Sequence, residues 1–212
     1  MSFPVDVPAL HGSLVRLEPL AHRHAADLMV AAEEDRNAYA FTGVPRAWEV
    51  EDYLAAHFER VREGKLAPFA QVRRRDGRAV GVTAYWDPRR WPGRDELFAI
   101  EIGWTWLAAS AQRTGINAEA KLLLFEYAFE TMGVTRVDLK TDARNERSRR
   151  AIERSGARFE GVLRQWSRSH APGEEGRLRD SAMFSVVAAE WPAKKVALRR
   201  RLARDGHTES VG

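Results

Sequence analysis

Apolar positions recur along this chain with two periods, and each switch between them marks a new element. Leu14-Val15-Arg16-Leu17-Glu18 alternates as a short strand that Pro19 ends. A helical stretch follows over about residues 22–34, and residues 37–45 read as loop. Residues 49–63 place Leu54, Phe58 and Val61 at i, i+4 and i+7 ahead of Gly64, the spacing and terminal residue of an amphipathic helix. Two strand-like runs, 68–74 and 78–86, meet at Asp76-Gly77, a dipeptide whose tolerance of positive φ suits a tight hairpin turn.

After a Pro- and Arg-rich loop over 87–94, residues 98–107 put Phe98, Ile100, Ile102, Trp104 and Trp106 on one strand face and Glu101, Gly103 and Thr105 on the other. A strand this apolar lies inside a packed sheet, so the carboxylate on its opposite face needs a reason. Gly115 opens a helix that runs through Met132 to Gly133, and residues 134–141 alternate Val137, Leu139 and Thr141 against Arg136, Asp138 and Lys140. A helix over about 146–155 stops at Gly156. Strand-like runs 159–168 and 178–187 flank a turn-rich segment, and Trp191-Pro192 starts a terminal helix. Strands and helices alternate most clearly between residues 98 and 159, which predicts an α+β (mixed α/β) chain, one sheet with helices on its faces in a single domain. Tryptophans at strand spacing, Trp86, Trp91, Trp104, Trp106 and Trp166, are read as core ahead of ligand contacts.

Composition narrows the classes. Hydrophobic residues make up 44% of the 212, enough for a folded core. The longest stretch without a charge, residues 102–112, is far shorter than the roughly 20 apolar residues of a membrane span. Met1 to Asp6 show neither a basic n-region nor an apolar run, so a cytoplasmic location is expected. Zero cysteines remove disulfide scaffolds, thiolate metal sites and a cysteine nucleophile, and six scattered histidines show no metal-ligand grouping. A pI near 9.7 invites a nucleic-acid reading, but bases and acids are interleaved except at Lys194-Lys195, Arg199-Arg200-Arg201 and Arg204. That cluster is a solvated helix face or an anionic contact, and overall the charge pattern argues against a nucleic-acid partner.

The most informative segment is Gln112-Arg113-Thr114-Gly115-Ile116-Asn117-Ala118, between an apolar strand and a helix start. A turn feeding a helix N-terminus aims unpaired N–H groups and the positive dipole end outward, which suits a phosphate or pyrophosphate. It carries neither a Walker lysine nor the three glycines of a dinucleotide fingerprint, and an ordinary strand-to-helix turn explains one glycine equally.

Gln112-x-x-Gly115-x-Asn117 resembles the Q/R-x-x-G-x-G/A pyrophosphate loop of the GNAT N-acyltransferase superfamily. Asn145-x-x-Ser148 and Gly156-Ala157-Arg158-Phe159-Glu160-Gly161 are similar to the N-x-x-S helix start and the "GF-x-x-EG" strand of its RimJ/RimL-like branch, which acetylates ribosomal-protein N-termini. With Arg177-Leu178-Arg179-Asp180 and Trp191-Pro192, the similarity spans about residues 12–192, leaving 193–212 as a helical tail. Two positions depart from the pattern: Asn117 stands where the family has Gly or Ala, and Ala157-Arg158 separate Gly156 from Phe159.

The resemblance implies a mostly antiparallel, splayed sheet, with an acetyl-CoA arm along Gly103–Leu107, where Trp104, Trp106 and Leu107 would touch it. Its pyrophosphate would sit on the 112–117 loop of Gln112, Arg113, Thr114, Gly115, Ile116 and Asn117. Asn145 would contact the cofactor, and Arg150 or a neighbouring arginine would pair with phosphate. Glu101 is implied as general base acting through water, against the alternative of a carboxylate paired with Lys or Arg. Ser148 is implied as the acid that protonates the departing thiolate, although serine is common in a first helical turn, and Asn145 could serve simply as a cap. The expected activity is metal-free acetyl transfer to a primary amine, a protein N-terminus or a small molecule, by direct attack in a ternary complex. The resemblance also implies homodimers. The rival readings are a longer acyl donor such as succinyl-CoA, and a non-catalytic acyl-CoA-binding or RNA/ribosome-binding module.

Overall fold

The computed structural model describes residues 7–208. Its strands are β1 (Leu10–His11), β2 (Val15–Pro19), β3 (Leu66–Arg73), β4 (Ala79–Arg90), β5 (Leu97–Leu107), β6 (Arg136–Asp142), β7 (Arg158–Arg168) and β8 (Leu178–Val187). They form one sheet in the order β1-β2-β3-β4-β5-β6-β8-β7. Every neighbouring pair is antiparallel except β5 with β6. Five helices accompany them: α1 (Ala25–Glu33), α2 (Val50–Arg62), α3 (Ile116–Glu126), α4 (Glu146–Arg154) and α5 (Trp191–Thr208).

The helices cover both faces. On one face Tyr85 of β4, fully buried, donates its hydroxyl to Leu124 O of α3 at 2.5 Å, and Trp191 of α5 packs on Phe125 and Phe129. On the other, α2 sets Tyr53 and His57 against Trp106 and Trp104 of β5. The N-terminal strands are held by one buried carboxylate. Glu119 of α3 accepts from Ser13 N (2.9 Å), Ser13 Oγ (2.6 Å), Leu14 N (2.7 Å) and Val15 N (2.9 Å), satisfying the β1–β2 turn. At least half of the basic cluster in the tail pairs with acids of the fold: Lys195 with Glu126 and Glu130, Arg199 with Glu126, and Lys194 with Glu190.

The hairpin turns at Gly77, φ 71°, as the Asp-Gly dipeptide predicts. Three expectations are revised. First, β4 continues to Arg90 through residues read as loop, because Asp87 at φ 50° shifts the register between Trp86 and Arg89. Second, the helix opened by Gly115 is α-helical only to Glu126 and widens into a π-turn over Tyr127–Thr131. Third, Trp91 and Trp166 are not core; they are 50% and 56% exposed, Trp166 lying on β7 at the sheet edge.

Candidate active site

The site grows from an irregularity in β5. Val82 pairs with Trp106 and Ala84 with Gly103, so two steps on β4 face three on β5, a bulge. Trp104 absorbs it at φ 54°, a backbone conformation rare for a bulky residue and one that clusters at functional sites. The alternation read from the sequence therefore breaks at this point. Ile102 faces α3, opposite Tyr85, and the extra residue turns Thr105 to that same face. Trp104 and Trp106 turn instead to the α2 face, which Glu101 shares with Trp86, its partner across the ladder.

Beyond the bulge β5 loses its parallel partner. The β5–β6 ladder pairs Ala99 with Arg136, Ile100 with Val137 and Glu101 with Asp138, and then stops, although β5 runs on to Leu107 and β6 to Asp142. The strands fork, and the β6-facing edge of residues 102–107 is left without a strand to bond. Such an edge takes an extended, amide-bearing arm as an added strand would be taken. A cavity of about 660 Å³ occupies the fork.

At one end lies the loop into α3. Arg113 (φ 64°) and Gly115 (φ 79°) are both left-handed, and the first helical bond runs from Glu119 N to Gly115 O, leaving the N–H groups of Ile116, Asn117 and Ala118 free of intrahelical partners. A side chain at position 115 would meet Leu14 Cδ1 at 2.8 Å as well as the left-handed φ. Gln112 donates from Nε2 to Leu107 O (2.9 Å) and accepts from Arg147 of α4 (3.0 Å), which ties the loop to the far wall. Asn145 caps α4 by accepting from Ser148 N at 3.0 Å, and Ser148 sits half-buried on the cavity wall.

At the fork itself Glu101, 6% exposed, accepts from Lys140 Nζ on Oε2 at 2.6 Å. Its other oxygen, Oε1, has no hydrogen bond among the described residues and lies 2.8 Å from where a Cβ at Gly103 would stand, so only glycine leaves the carboxylate this position. Burial pushes the Glu101 carboxyl above the usual carboxylate range, with Lys140 pulling the other way. Such a group is a better proton acceptor near neutral pH than an ordinary carboxylate.

Among the residues expected in the site, Thr114, Ile116 and Arg150 do not line the cavity. Thr114 bonds back to Ala111 O, Ile116 is core, and Arg150 is exposed and paired with Glu146 at 3.5 Å, because its helical position points away from the fork. Asn117 lines the cavity with its Oδ1 buried and without a hydrogen bond among the described residues. The structure adds residues that sequence reasoning did not place there, notably Lys121, Lys140, Arg147 and Arg179. Lys121 left one signal, a lysine within the apolar run of a helix, while Lys140 depends on the β5–β6 register, which no local pattern encodes. Among the described residues, no group of three or more His, Asp or Glu side chains could hold a metal, and no helix is long and apolar enough to cross a membrane.

A forked sheet with an unpaired strand edge, a helix N-terminus at one end and a buried carboxylate at the other defines a class of enzyme that aligns an acyl thioester beside an amine. The comparisons agree with that class. Residues 15–158 match the acetyltransferase (GNAT) domain model, and the chain belongs to this family; it is an N-acetyltransferase. A GCN5-related N-acetyltransferase from Brucella melitensis is 32% identical, with a TM-score of 0.77 over 92% of this chain and 85% of that one. Mycobacterium smegmatis RimJ, solved with CoA-disulfide, shares the fold at 21% identity and TM-score 0.74, covering 95% of this chain and 97% of its own. So does the Microcin C7 self-immunity acetyltransferase MccE, solved with acetyl-CoA and AMP, at 20% identity and TM-score 0.66 over 83% of this chain and 93% of its own. No curated protein matches the sequence.

Proposed function

We propose that this enzyme transfers an acetyl group from acetyl-CoA to a primary amine by direct attack in a ternary complex. The observation that carries the reading is the fork: the β5–β6 ladder ends at Glu101 and Asp138, opening a cavity beside the free edge of 102–107. That edge offers backbone partners to the amides of the pantetheine arm. The free N–H groups at the start of α3, with Arg113 and Arg147 on the cavity wall, suit the pyrophosphate. Relatives of the same fold are solved with CoA-disulfide and with acetyl-CoA, which supports the donor.

In this reading the amine nitrogen bonds to the thioester carbonyl carbon and the carbon–sulfur bond breaks. Glu101 takes the proton shed by the amine, through water at its free Oε1, and Lys140 keeps the carboxylate oriented by holding Oε2. Ser148, fixed at the start of α4 by the Asn145 cap, gives its hydroxyl proton to the departing thiolate and recovers one from solvent. With no cysteine in the chain, direct attack needs no acyl-thiol relay. The branch that acetylates protein N-termini is the acceptor class suggested by the Asn145/Ser148 and Glu160-Gly161 pattern.

The test is calorimetric titration with acetyl-CoA, succinyl-CoA and CoA, followed by thiol release across peptides and small amines. Saturable acetyl-CoA binding with amine-dependent release is expected. Binding without release from any amine would replace the enzyme with a sensor, and tighter succinyl-CoA binding would reassign the donor.

A further inference from the structure

The face of the sheet that carries Glu101 continues outward along the β6 and β8 registers. Glu101 pairs with Asp138, and alternation along β6 puts Lys140 and Asp142 on the same face. Asp142 pairs with Ser181 of β8, so Arg179, two residues back, joins them, with Ser167 of β7 as its register partner. Helix α4 lies against the opposite face, where Arg149 covers Phe159, itself packed on Phe184. This polar face is therefore open to the cavity beside the reacting atoms.

Most charges on it are matched. Glu101 is held by Lys140, Asp138 by Arg89 and Arg136, and Asp142 by Arg144. Arg179 is not. It lines the cavity half-buried, has no ion-pair or hydrogen-bond partner among the described residues, and its Nε is enclosed with no acceptor. The fields of Asp142 and Glu101 reach it, and burial, which they only partly offset, holds its pKa below the usual arginine value. Burial and the Arg179 charge hold the imidazole of His170, also on the cavity wall, below its usual range. A guanidinium is a charged, multivalent donor, and burying part of it unpaired costs free energy that a bound anion recovers. A carboxylate matches its fork geometry bidentately.

Resting on the acetyl-transfer reading, we infer that Arg179 is an acceptor-specificity residue that binds a carboxylate carried by the amine substrate a few bonds from the reactive nitrogen. The acceptor class is then an amino acid, either free, through its α-carboxylate, or as an acidic first residue of a peptide. The amine sits at Glu101 and the carboxylate reaches across the β6–β8 face to Arg179. One anchored end fixes the nitrogen's distance from the fork, which is the positioning that direct attack requires.

The experiment compares matched acceptors at saturating acetyl-CoA: glycine against glycinamide, and a short peptide amide beginning with Asp against the same peptide beginning with Asn. In the wild-type enzyme the carboxylate member of one pair is expected to lead in kcat/KM by about 10- to 100-fold, the worth of one charge-assisted hydrogen-bonded pair. Which pair shows the lead names the source of the carboxylate. In Arg179→Met the lead should fall to near unity, and Arg179→Lys should restore part of it. Because Arg179 has no hydrogen-bond or ion-pair partner among the described residues and its burial is unfavourable, Arg179→Met should melt no lower than wild type, which separates loss of recognition from loss of structure. No preference in either pair, or a preference that survives Arg179→Met, overturns the inference; turnover of uncharged amines in that case leaves the transfer reading standing. Saturable acetyl-CoA binding with both pairs silent also overturns this acceptor class, whereas absence of acetyl-CoA binding overturns the transfer reading itself.

Discussion

Lys121 provides a test of the fold's electrostatics that is independent of catalysis. It lies on α3, 5% exposed, and donates to Thr105 Oγ1 at 2.7 Å and Thr83 Oγ1 at 3.3 Å, with no carboxylate in ion-pair range among the described residues. Burial pushes its ammonium from 10.5 down to about 7. At about 1.4 kcal/mol per pH unit, holding the proton inside costs roughly 5 kcal/mol at and below neutrality. An unfolded lysine keeps its proton to about pH 10.4, so between pH 7 and that value folding releases a proton and stability rises with pH. Lys121→Met removes the cost together with two hydrogen bonds from a charged donor, worth about 1.5 kcal/mol each. Thr83 and Thr105 remain bonded to each other at 2.8 Å. Met should therefore stabilise the protein by about 2 kcal/mol at pH 6.5, and the difference should fall by roughly 3 kcal/mol toward pH 9.5, changing sign as the wild-type amine goes neutral. Urea melts of both proteins at pH 6.5, 8 and 9.5 supply the difference, in which titrations common to both cancel. A difference that stays flat across that range would refute the reasoning, because it would mean that Lys121 keeps its ordinary affinity for the proton.

Three further outcomes follow from the same geometry. Glu119→Ala strips the acceptor from three backbone N–H groups and the Ser13 hydroxyl, so it should cost about 3 kcal/mol or more, read as a large fall in melting temperature; an unchanged melt would mean that water replaces the carboxylate fully. Gly115→Val must adopt φ 79° and push Leu14 aside, which should weaken acetyl-CoA binding by on the order of tenfold while far-ultraviolet circular dichroism stays wild-type; unchanged calorimetric affinity would remove the loop from the donor site. Glu101→Gln should lower kcat by about 10²–10⁴-fold. If Glu101 is the base, its burial-raised carboxyl should place the acidic limb of the wild-type kcat/KM above the ordinary carboxylate range, activity falling as pH drops through it, and that limb should vanish in the variant; a limb retained by Glu101→Gln would assign it to another group.

Much of the frame was legible because it is local. Period-two alternation marks β2, where Val15 and Leu17 are buried, Asp76-Gly77 can take the positive φ of the hairpin, and Gly115 is the residue that tolerates the left-handed entry to α3. Side-chain period, turn chemistry and glycine's freedom depend on neighbours in sequence, so the sequence by itself determined them. The site depended on pairings between distant segments. The bulge at Trp104 exists only because β4 and β5 are out of step by one residue, and it moved Trp104 and Trp106 to the face of Glu101 against the simple alternation. The ion pair of Glu101 with Lys140 follows from a parallel ladder that stops after three pairs, and the unmatched Arg179 from a register running across β6, β8 and β7. Register, bulge position and the place where two strands part are set by packing over the whole sheet, against α2 on one side and α3 on the other, and so only the tertiary structure decided them.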